Sequence, residues 1–168
     1  PEMRSTGEVL GLAETFGEAF YKAQEATNRS LPLSGTVLIS VNDRDKAELP
    51  EVARGFAECG FKILATGGTY DVIVKNGIPA EKIHKLGSGR PDILDAIANG
   101  QIDIIVNTPI DKKGADDDSY IRKAAIKSRI SYVTTMAAAK ATIAGIKEIK
   151  VNTAKGVRSL QEIHSTIQ

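Results

Sequence analysis

The residues best suited to chemistry lie together in the stretch Thr66-Gly67-Gly68-Thr69, which follows an apolar run beginning at Phe61. Glycine lets the backbone approach a ligand closely, and the threonine hydroxyls and exposed N–H groups of such a turn suit an anion. The turn therefore predicts a phosphate or carboxylate site at the carboxyl end of a strand. An ordinary strand-to-helix turn with capping threonines is the alternative that these residues leave open.

Further polar residues follow other apolar runs and fit the same site. Lys46 lies at the start of a helical pattern and Lys85 ends a short strand pattern, so either ammonium group can neutralise an anion. Arg90, in a glycine-containing loop, offers a guanidinium group suited to the same task. Asn107 and Thr108 follow the most apolar run and should reach the same edge of a parallel sheet. For each residue, a solvated side chain or a simple loop position is the alternative.

No pattern indicates acid–base, nucleophilic or metal chemistry. The two histidines, His84 and His164, have no nucleophile paired with them, and no spacing of Cys, His and Asp indicates a metal site. The run 116–118 of three aspartates opens a helical pattern, where the helix dipole is sufficient to explain it. The turn at 66–69 also lacks the Gly-Lys-Ser/Thr ending of a P-loop. The one cysteine, Cys59, is predicted to be a small core residue.

Composition excludes several classes of partner. The chain has 168 residues with 22 basic and 21 acidic side chains, which leaves a net charge of +1. Such a balance produces no general attraction to nucleic acid or to a membrane surface. Neither a signal peptide nor a long apolar run is present, so we expect a cytoplasmic protein.

Strand and helix patterns alternate regularly between residues 35 and 145. The strands are predicted at 36–41, 62–65, 82–86, 102–106 and 130–133. The helices are predicted at 45–59, 69–75, 91–98, 117–128 and 135–144. This alternation predicts an α/β fold, a doubly wound five-stranded parallel sheet with helices on both faces. Ligands of such sheets bind beyond the carboxyl ends of the strands.

Three segments are predicted along the chain. Residues 1–34 carry a helical stripe with Phe16 and Phe20 and then a linker, and they are interpreted as the end of a preceding domain. Residues 35–150 form the α/β domain. Residues 151–168 form a C-terminal extension with a short helical pattern at 159–167.

Several of these stretches together resemble the methylglyoxal-synthase-like domain: residues 37–41, the turn at 66–69, Lys85 with Gly89-Arg90-Pro91, and residues 105–108. The fold is shared by methylglyoxal synthases, purine cyclohydrolase domains and the C-terminal regulatory domains of carbamoyl-phosphate synthase large subunits. Residues 2–9 and the helical pattern after them resemble the end of the second ATP-grasp region of the last family. The resemblance therefore points to the bacterial-type regulatory domain.

That resemblance implies a site for a nucleoside monophosphate, with uridylate (UMP) as inhibitor and inosinate (IMP) as activator. Tyr132 and Thr134 match positions that contact ornithine in enteric-type relatives. Pro109 stands where many relatives have a second threonine, which leaves the identity of the effector open. The implied effector site comprises Lys46, Thr66, Gly67, Gly68, Thr69, Lys85, Arg90, Asn107 and Thr108.

The resemblance also implies partners outside this domain. The domain itself would hold no cofactor, whereas the ATP-grasp domains of the parent enzyme would hold ATP with Mg or Mn. The partners would be the remainder of the large subunit and a glutaminase small subunit, in an oligomer. The parent ligase makes carbamoyl phosphate for pyrimidine and arginine synthesis.

Two other functions compete with effector binding. A divergent methylglyoxal synthase-like lyase acting on a triose phosphate would share the fold. The family's catalytic aspartate, however, matches Arg90 here, and a guanidinium group cannot act as a base. The remaining alternative is a domain that has lost its effector and serves only oligomer contacts.

Overall fold

In the computed structural model the described residues are 5–27, 30–108, 115–151 and 159–165. Their centre is an all-parallel sheet of five strands in the order β3-β2-β1-β4-β5. The chain leaves β1 through β2 and β3 on one side and then crosses to the other side for β4 and β5. The predicted doubly wound topology is confirmed. The strands are β1 (Gly35–Ser40), β2 (Phe61–Thr66), β3 (Glu81–Ile83), β4 (Ile104–Asn107) and β5 (Ser131–Val133).

Helices cover both faces of the sheet, as predicted. Val37 and Ile39 pack into one buried cluster with α2, α3 and α6, while Leu38 between them packs into a second cluster with α4 and α5. Because both faces are covered, the middle positions of the central strands are apolar on both faces. No helix within the described ranges is long and apolar enough to span a bilayer. The helices are α1 (Phe16–Ala26), α2 (Leu49–Glu58), α3 (Gly67–Lys75), α4 (Ile93–Ala98), α5 (Ala115–Lys127), α6 (Met136–Val151) and α7 (Leu160–His164).

The first helix of the α/β domain differs from its prediction at 45–59. Residues Asp43–Ala47 form a separate 3-10 helix, and α2 starts only at Leu49, with Pro50 in its first turn. Proline is favoured in a first turn because the N–H that it lacks would have no acceptor within the helix there. Its ring also clashes with a helical turn before it, so the α-helix does not extend further toward the N-terminus. Lys46 therefore lies in the 3-10 helix rather than at the start of an α-helix. The cap is Asn42, whose Oδ1 accepts the Asp45 N–H at 3.1 Å.

Helix α6 runs to Val151, past the predicted end at residue 144. A glycine often ends a helix, but Gly145 instead faces α1, where an added Cβ would lie 3.2 Å from the carbonyl oxygen of Gly17. The missing side chain thus serves close helix packing, and the helix continues. Helix α1 therefore packs against α6, and Tyr21 of α1 belongs to the main core cluster. The domain boundary at residue 34 stays a prediction.

Cys59 ends α2 as a buried core residue, as predicted, with 2% of its surface exposed. Burial is the main cause that raises the pKa of its thiol above the ordinary value. Since the thiolate is the reactive form, we expect iodoacetamide to alkylate the folded chain at least about tenfold more slowly than the urea-unfolded chain at the same pH. Mass spectrometry of timed samples measures both rates. Equal rates would contradict the burial of this side chain.

Candidate anion-binding site

A pocket lies beyond the carboxyl ends of β1, β2 and β3. The loop after β1 supplies one wall, the first turn of α3 supplies the floor, and Lys85 after β3 supplies the opposite side. Five of the nine predicted site residues meet here. The lining residues are Val41, Asn42, Asp43, Lys46, Thr66, Gly68, Thr69 and Lys85.

The floor of the pocket is the N-terminus of α3. The helix begins at Gly67, so the Thr-Gly-Gly-Thr stretch is itself the first helical turn rather than a loop before it. Thr66 occupies the N-cap position, but its side chain makes no capping hydrogen bond, and its Oγ1 donates instead to Ser40 Oγ at 3.0 Å. The first N–H groups of this helix therefore have no side-chain acceptor at the cap, which makes them available to an anion.

Thr69 holds the loop after β1 against α3. Its Oγ1 accepts the backbone N–H of Val41 at 3.2 Å, and the residue is only 3% exposed. A hydroxyl oxygen that accepts from a buried amide satisfies a group that would otherwise cost free energy. Thr69 therefore shapes the pocket in addition to lining it.

Lys46 brings a positive charge over the helix N-terminus. Its Nζ lies 2.6 Å from Asp43 Oδ1, and a Cβ added to Gly68 would fall 3.1 Å from the same nitrogen. The hydrogen bond and the charge of Lys46 hold the pKa of the Asp43 carboxyl below its ordinary value, and the charge of Lys85 acts in the same direction. Two ammonium groups and a helix N-terminus thus converge on one place, which suits an anion of more than one charge.

The loop that carries Lys46 is fixed from β4. Thr108 Oγ1 accepts the backbone N–H of Asn42 at 2.9 Å, and Asn42 Nδ2 donates to Asp45 Oδ2 at 2.9 Å. Thr108 is 2% exposed and does not line the pocket. Its observed contact is therefore with the loop rather than with the space that a ligand would fill.

Asn107 contacts α5 and β5 and does not line the pocket. Its Nδ2 donates to Asp118 Oδ1 and to Tyr132 Oη, each at 2.8 Å, and the residue is 4% exposed. Both amide protons are thus engaged with α5 and β5. Within the described ranges, Asp118 Oδ2 is buried without a hydrogen-bond partner. The assignment of Tyr132 and Thr134 to ornithine stays a prediction.

Arg90 also lies outside the pocket. Its guanidinium group pairs with Asp95 Oδ1 in the first turn of α4, and the arginine side chain is 78% exposed. Asp95 in turn accepts the backbone N–H of Asp92 as part of the cap of α4. The sequence correctly placed Arg90 in a loop, but its guanidinium group contacts α4 rather than the pocket. Pro109 lies outside the described residues.

A second groove, between α2 and α6, differs in its charges. Its carboxylates and ammonium groups neutralise one another, since Lys140 pairs with Glu48 and Glu51, and Lys147 pairs with Glu58. Arg54 also lines this groove, but both ammonium groups of the groove are already paired with carboxylates. In the part of the chain that the structure describes, no group of three or more His, Cys, Asp and Glu side chains is placed to hold a metal ion.

Sequence reasoning missed three contributors to this region. Asp43 is not among the predicted site residues, although its spacing of three residues from Lys46 could have indicated an ion pair. Asn42 caps the 3-10 helix, and Ser40 is a polar residue at the end of an otherwise apolar strand. A hydroxyl at that strand end was a signal that the site extends to β1.

Comparison with known proteins identifies the family. A sequence model of the MGS-like domain matches residues 48–134, more than half of the 168-residue chain. The chain belongs to the MGS-like domain family. This domain has the same fold as methylglyoxal synthase from Elizabethkingia anophelis, which aligns over 77% of this chain and 96% of that one with a TM-score of 0.56. The two share 15% identity, so that likeness concerns the fold alone.

Sequence relatives of this MGS-like domain are much longer proteins. The chain is 49% identical over 165 residues to the carbamoyl phosphate synthase large chain of Archaeoglobus fulgidus, covering 98% of this chain and 15% of the relative. It is 47% identical over 167 residues to the C-terminal section of the large chain from Methanopyrus kandleri, covering 98% of this chain and 30% of that protein. The Aquifex aeolicus C-terminal section is 44% identical, with 98% and 32% covered. The chain thus spans a third or less of the length of these relatives.

Proposed function

We propose that this MGS-like domain is the allosteric effector-binding domain of a glutamine-hydrolysing carbamoyl-phosphate synthase large chain, and that it binds a nucleoside monophosphate such as UMP or IMP. The observation that carries the proposal is the convergence of Lys46 and Lys85 on the uncapped N-terminus of α3. The high similarity to C-terminal sections of such large chains supports the choice of enzyme.

The charges of the pocket favour a phosphate monoester. A phosphate dianion over α3 would accept from the N–H groups of Gly68 and Thr69 and would be neutralised by the two lysines. Asp43 and Asn42 at the edge of the pocket offer polar groups for the hydroxyls of a sugar. A nucleoside monophosphate supplies both kinds of group in one ligand.

Proton-transfer chemistry is less well supported. Asp43 is the carboxylate that lines the pocket among the described residues, and its lowered pKa makes it a weak general base at neutral pH. Arg90, at the position of the synthase's catalytic aspartate, points to Asp95 outside the pocket. These observations favour a site that binds phosphate without transforming the ester.

A bound effector would act on the remainder of the large chain by stabilising one of its states more than another. The described N-terminal region exposes apolar side chains that such a neighbour would cover, with Leu10 65% and Phe16 69% exposed. We place the preceding ATP-grasp region, which would hold ATP with Mg or Mn, against this surface. The glutaminase subunit would supply ammonia, and the assembled oligomer would feed pyrimidine and arginine synthesis.

Isothermal titration calorimetry of UMP and IMP into the chain tests the proposal. We expect one site per chain for at least one nucleotide and no site for the uncharged nucleoside. Absence of binding by both nucleotides would refute the effector assignment. In parallel, incubation with dihydroxyacetone phosphate is expected to yield no methylglyoxal, and any enzymatic formation of that product would favour the lyase instead.

Gly68→Ala is expected to lower nucleotide affinity without destabilising the fold. Gly68 is in the first turn of α3, where alanine is the better helix former by up to about 1 kcal/mol. The new methyl group would lie 3.1 Å from Lys46 Nζ, in the space where the phosphate approaches the helix. We expect affinity for the nucleotide that binds, UMP or IMP, to fall about tenfold, about 1.4 kcal/mol, with an unchanged or higher melting temperature. Unchanged affinity would show that no ligand atom approaches Gly68 closely.

A further inference from the structure

One carboxylate lies at the edge of the proposed anion site, where its charge opposes the ligand. Asp43 lines the pocket beside Lys46, Gly68 and Lys85. A like charge at a few ångströms weakens the binding of an anion, and it does so about twice as strongly for a dianion as for a monoanion. The presence of the Asp43 carboxylate at an anion site therefore requires an explanation.

The contacts of the loop distinguish Asp43 from its neighbour Asp45. Asp45 is held by Asn42, whose Nδ2 donates to Asp45 Oδ2, and Asn42 Oδ1 accepts the Asp45 N–H. The side chain of Asp43 is 92% exposed and forms an ion pair with Lys46. Asp45 thus builds the loop, whereas Asp43 can move away from Lys46 at little structural cost.

The ammonium group of Lys46 would otherwise be unfavourably placed. It lies near the N-terminus of α3, which carries a partial positive charge, and Lys85 lines the same pocket. A carboxylate beside Lys46 compensates these charges while the site is empty. A phosphate or sulfate group over α3 would supply the same compensation from the other side.

We infer that Asp43 is the resident counter-ion of the anion site: its carboxylate neutralises Lys46 in the empty site, competes with the bound anion for that ammonium group, and so sets the affinity of the site. This inference rests on the proposed function, because it assigns a role at the same pocket. Because Asp43 weakens binding, half-saturation of the site requires a higher effector concentration than it would with the two lysines alone.

Sulfate is a suitable probe because it stays a dianion over the working pH range. In calorimetric titrations at low ionic strength, Asp43→Asn is expected to bind sulfate about 5- to 10-fold more tightly than the wild type, since it removes an ion pair and a repulsion together. Asp71→Asn is the matched control. It makes the same charge change at an exposed position of α3 outside the pocket, and it should alter sulfate affinity by less than about twofold.

A titration of the Asp43 carboxyl carbon by NMR gives a second readout. Lys46 and Lys85 are the charged groups that hold its pKa low in the empty site. When sulfate occupies the site, that pKa should rise toward its ordinary value. The complex then takes up protons as the pH falls through this window, so affinity for sulfate should rise there in the wild type and not in Asp43→Asn.

The outcomes separate this inference from the proposed function. Tighter sulfate binding by Asp43→Asn alone, with a raised Asp43 pKa in the complex, is the expected result. Unchanged or weaker binding by Asp43→Asn, or a pKa unmoved by sulfate, would overturn the counter-ion role while the site itself stands. If neither the wild type nor Asp43→Asn binds sulfate or nucleotide, the proposed function fails and the inference fails with it.

Discussion

Replacing Lys46 and Lys85 together by methionine is expected to weaken binding of the nucleotide effector, UMP or IMP, by about 100-fold or more, while the melting temperature stays within about 2 °C of the wild type. A hydrogen bond to a charged group contributes about 1.5–3 kcal/mol, so each single change should cost about tenfold or more. The effect of Lys46→Met should be the larger, because it also leaves Asp43 unpaired beside the ligand. Stability should hold because the ion pair lost is an exposed one.

Lys75→Met is the matched control for the lysine variants. Lys75 is exposed in the last turn of α3, at the opposite end of the helix from the pocket. The Lys75→Met change removes the same charge from the chain, so a loss of affinity from overall charge alone would appear there as well. Nucleotide affinity that falls equally in Lys75→Met and in the pocket variants would contradict a local role for Lys46 and Lys85.

Gly17→Leu is expected to destabilise the chain by about 2–3 kcal/mol, which corresponds to a melting temperature lower by roughly 4–12 °C. Any Cβ at this position would lie 2.8 Å from the carbonyl oxygen of Ala144, a backbone atom that cannot move aside. Helix α1 would have to separate from α6 and expose Tyr21. Leucine is the better helix former, so a loss of stability must come from the packing rather than from helix propensity.

Glu25→Leu places the same new side chain at an exposed position of the same helix and serves as the control. Its melting temperature should stay close to that of the wild type, as for most surface substitutions. The comparison by thermal unfolding also bears on domain organisation. Equal stability of Gly17→Leu and Glu25→Leu would mean that α1 does not depend on α6, as a helix belonging to another domain would behave.

Much of the fold could be predicted because its signals are local. Continuous apolar runs identified β1 and β4, and the Thr66–Thr69 stretch identified the junction of β2 and α3. The end of α6 was predicted wrongly because it depends on a tertiary contact. Gly145 ends a helix in the sequence pattern, but packing against α1 lets α6 continue. The start of α2 was predicted wrongly although its signal is local, since Pro50 favours the first turn of a helix and so indicates a start at Leu49.

The composition of the site was only partly accessible from the sequence. Strand order places Lys46 and Lys85 at one edge of the sheet, so their proximity follows from topology. The direction in which a side chain points does not follow from topology. Asn107 lies at the predicted strand end but donates to Asp118 and Tyr132, because helix α5 brings a carboxylate to that side. Such a choice of hydrogen-bond partner depends on three elements at once.

The central claim is that a nucleotide phosphate binds over the first turn of α3. Nitrogen–proton correlation NMR of the isotope-labelled chain, titrated with UMP and with IMP, tests it most directly. For the nucleotide that binds, we expect the amide signals of Gly67, Gly68 and Thr69 to shift more than all others, since a phosphate that accepts from an N–H group changes the environment of that group most. The largest shifts in the groove between α2 and α6, or none at all at saturating nucleotide, would contradict it.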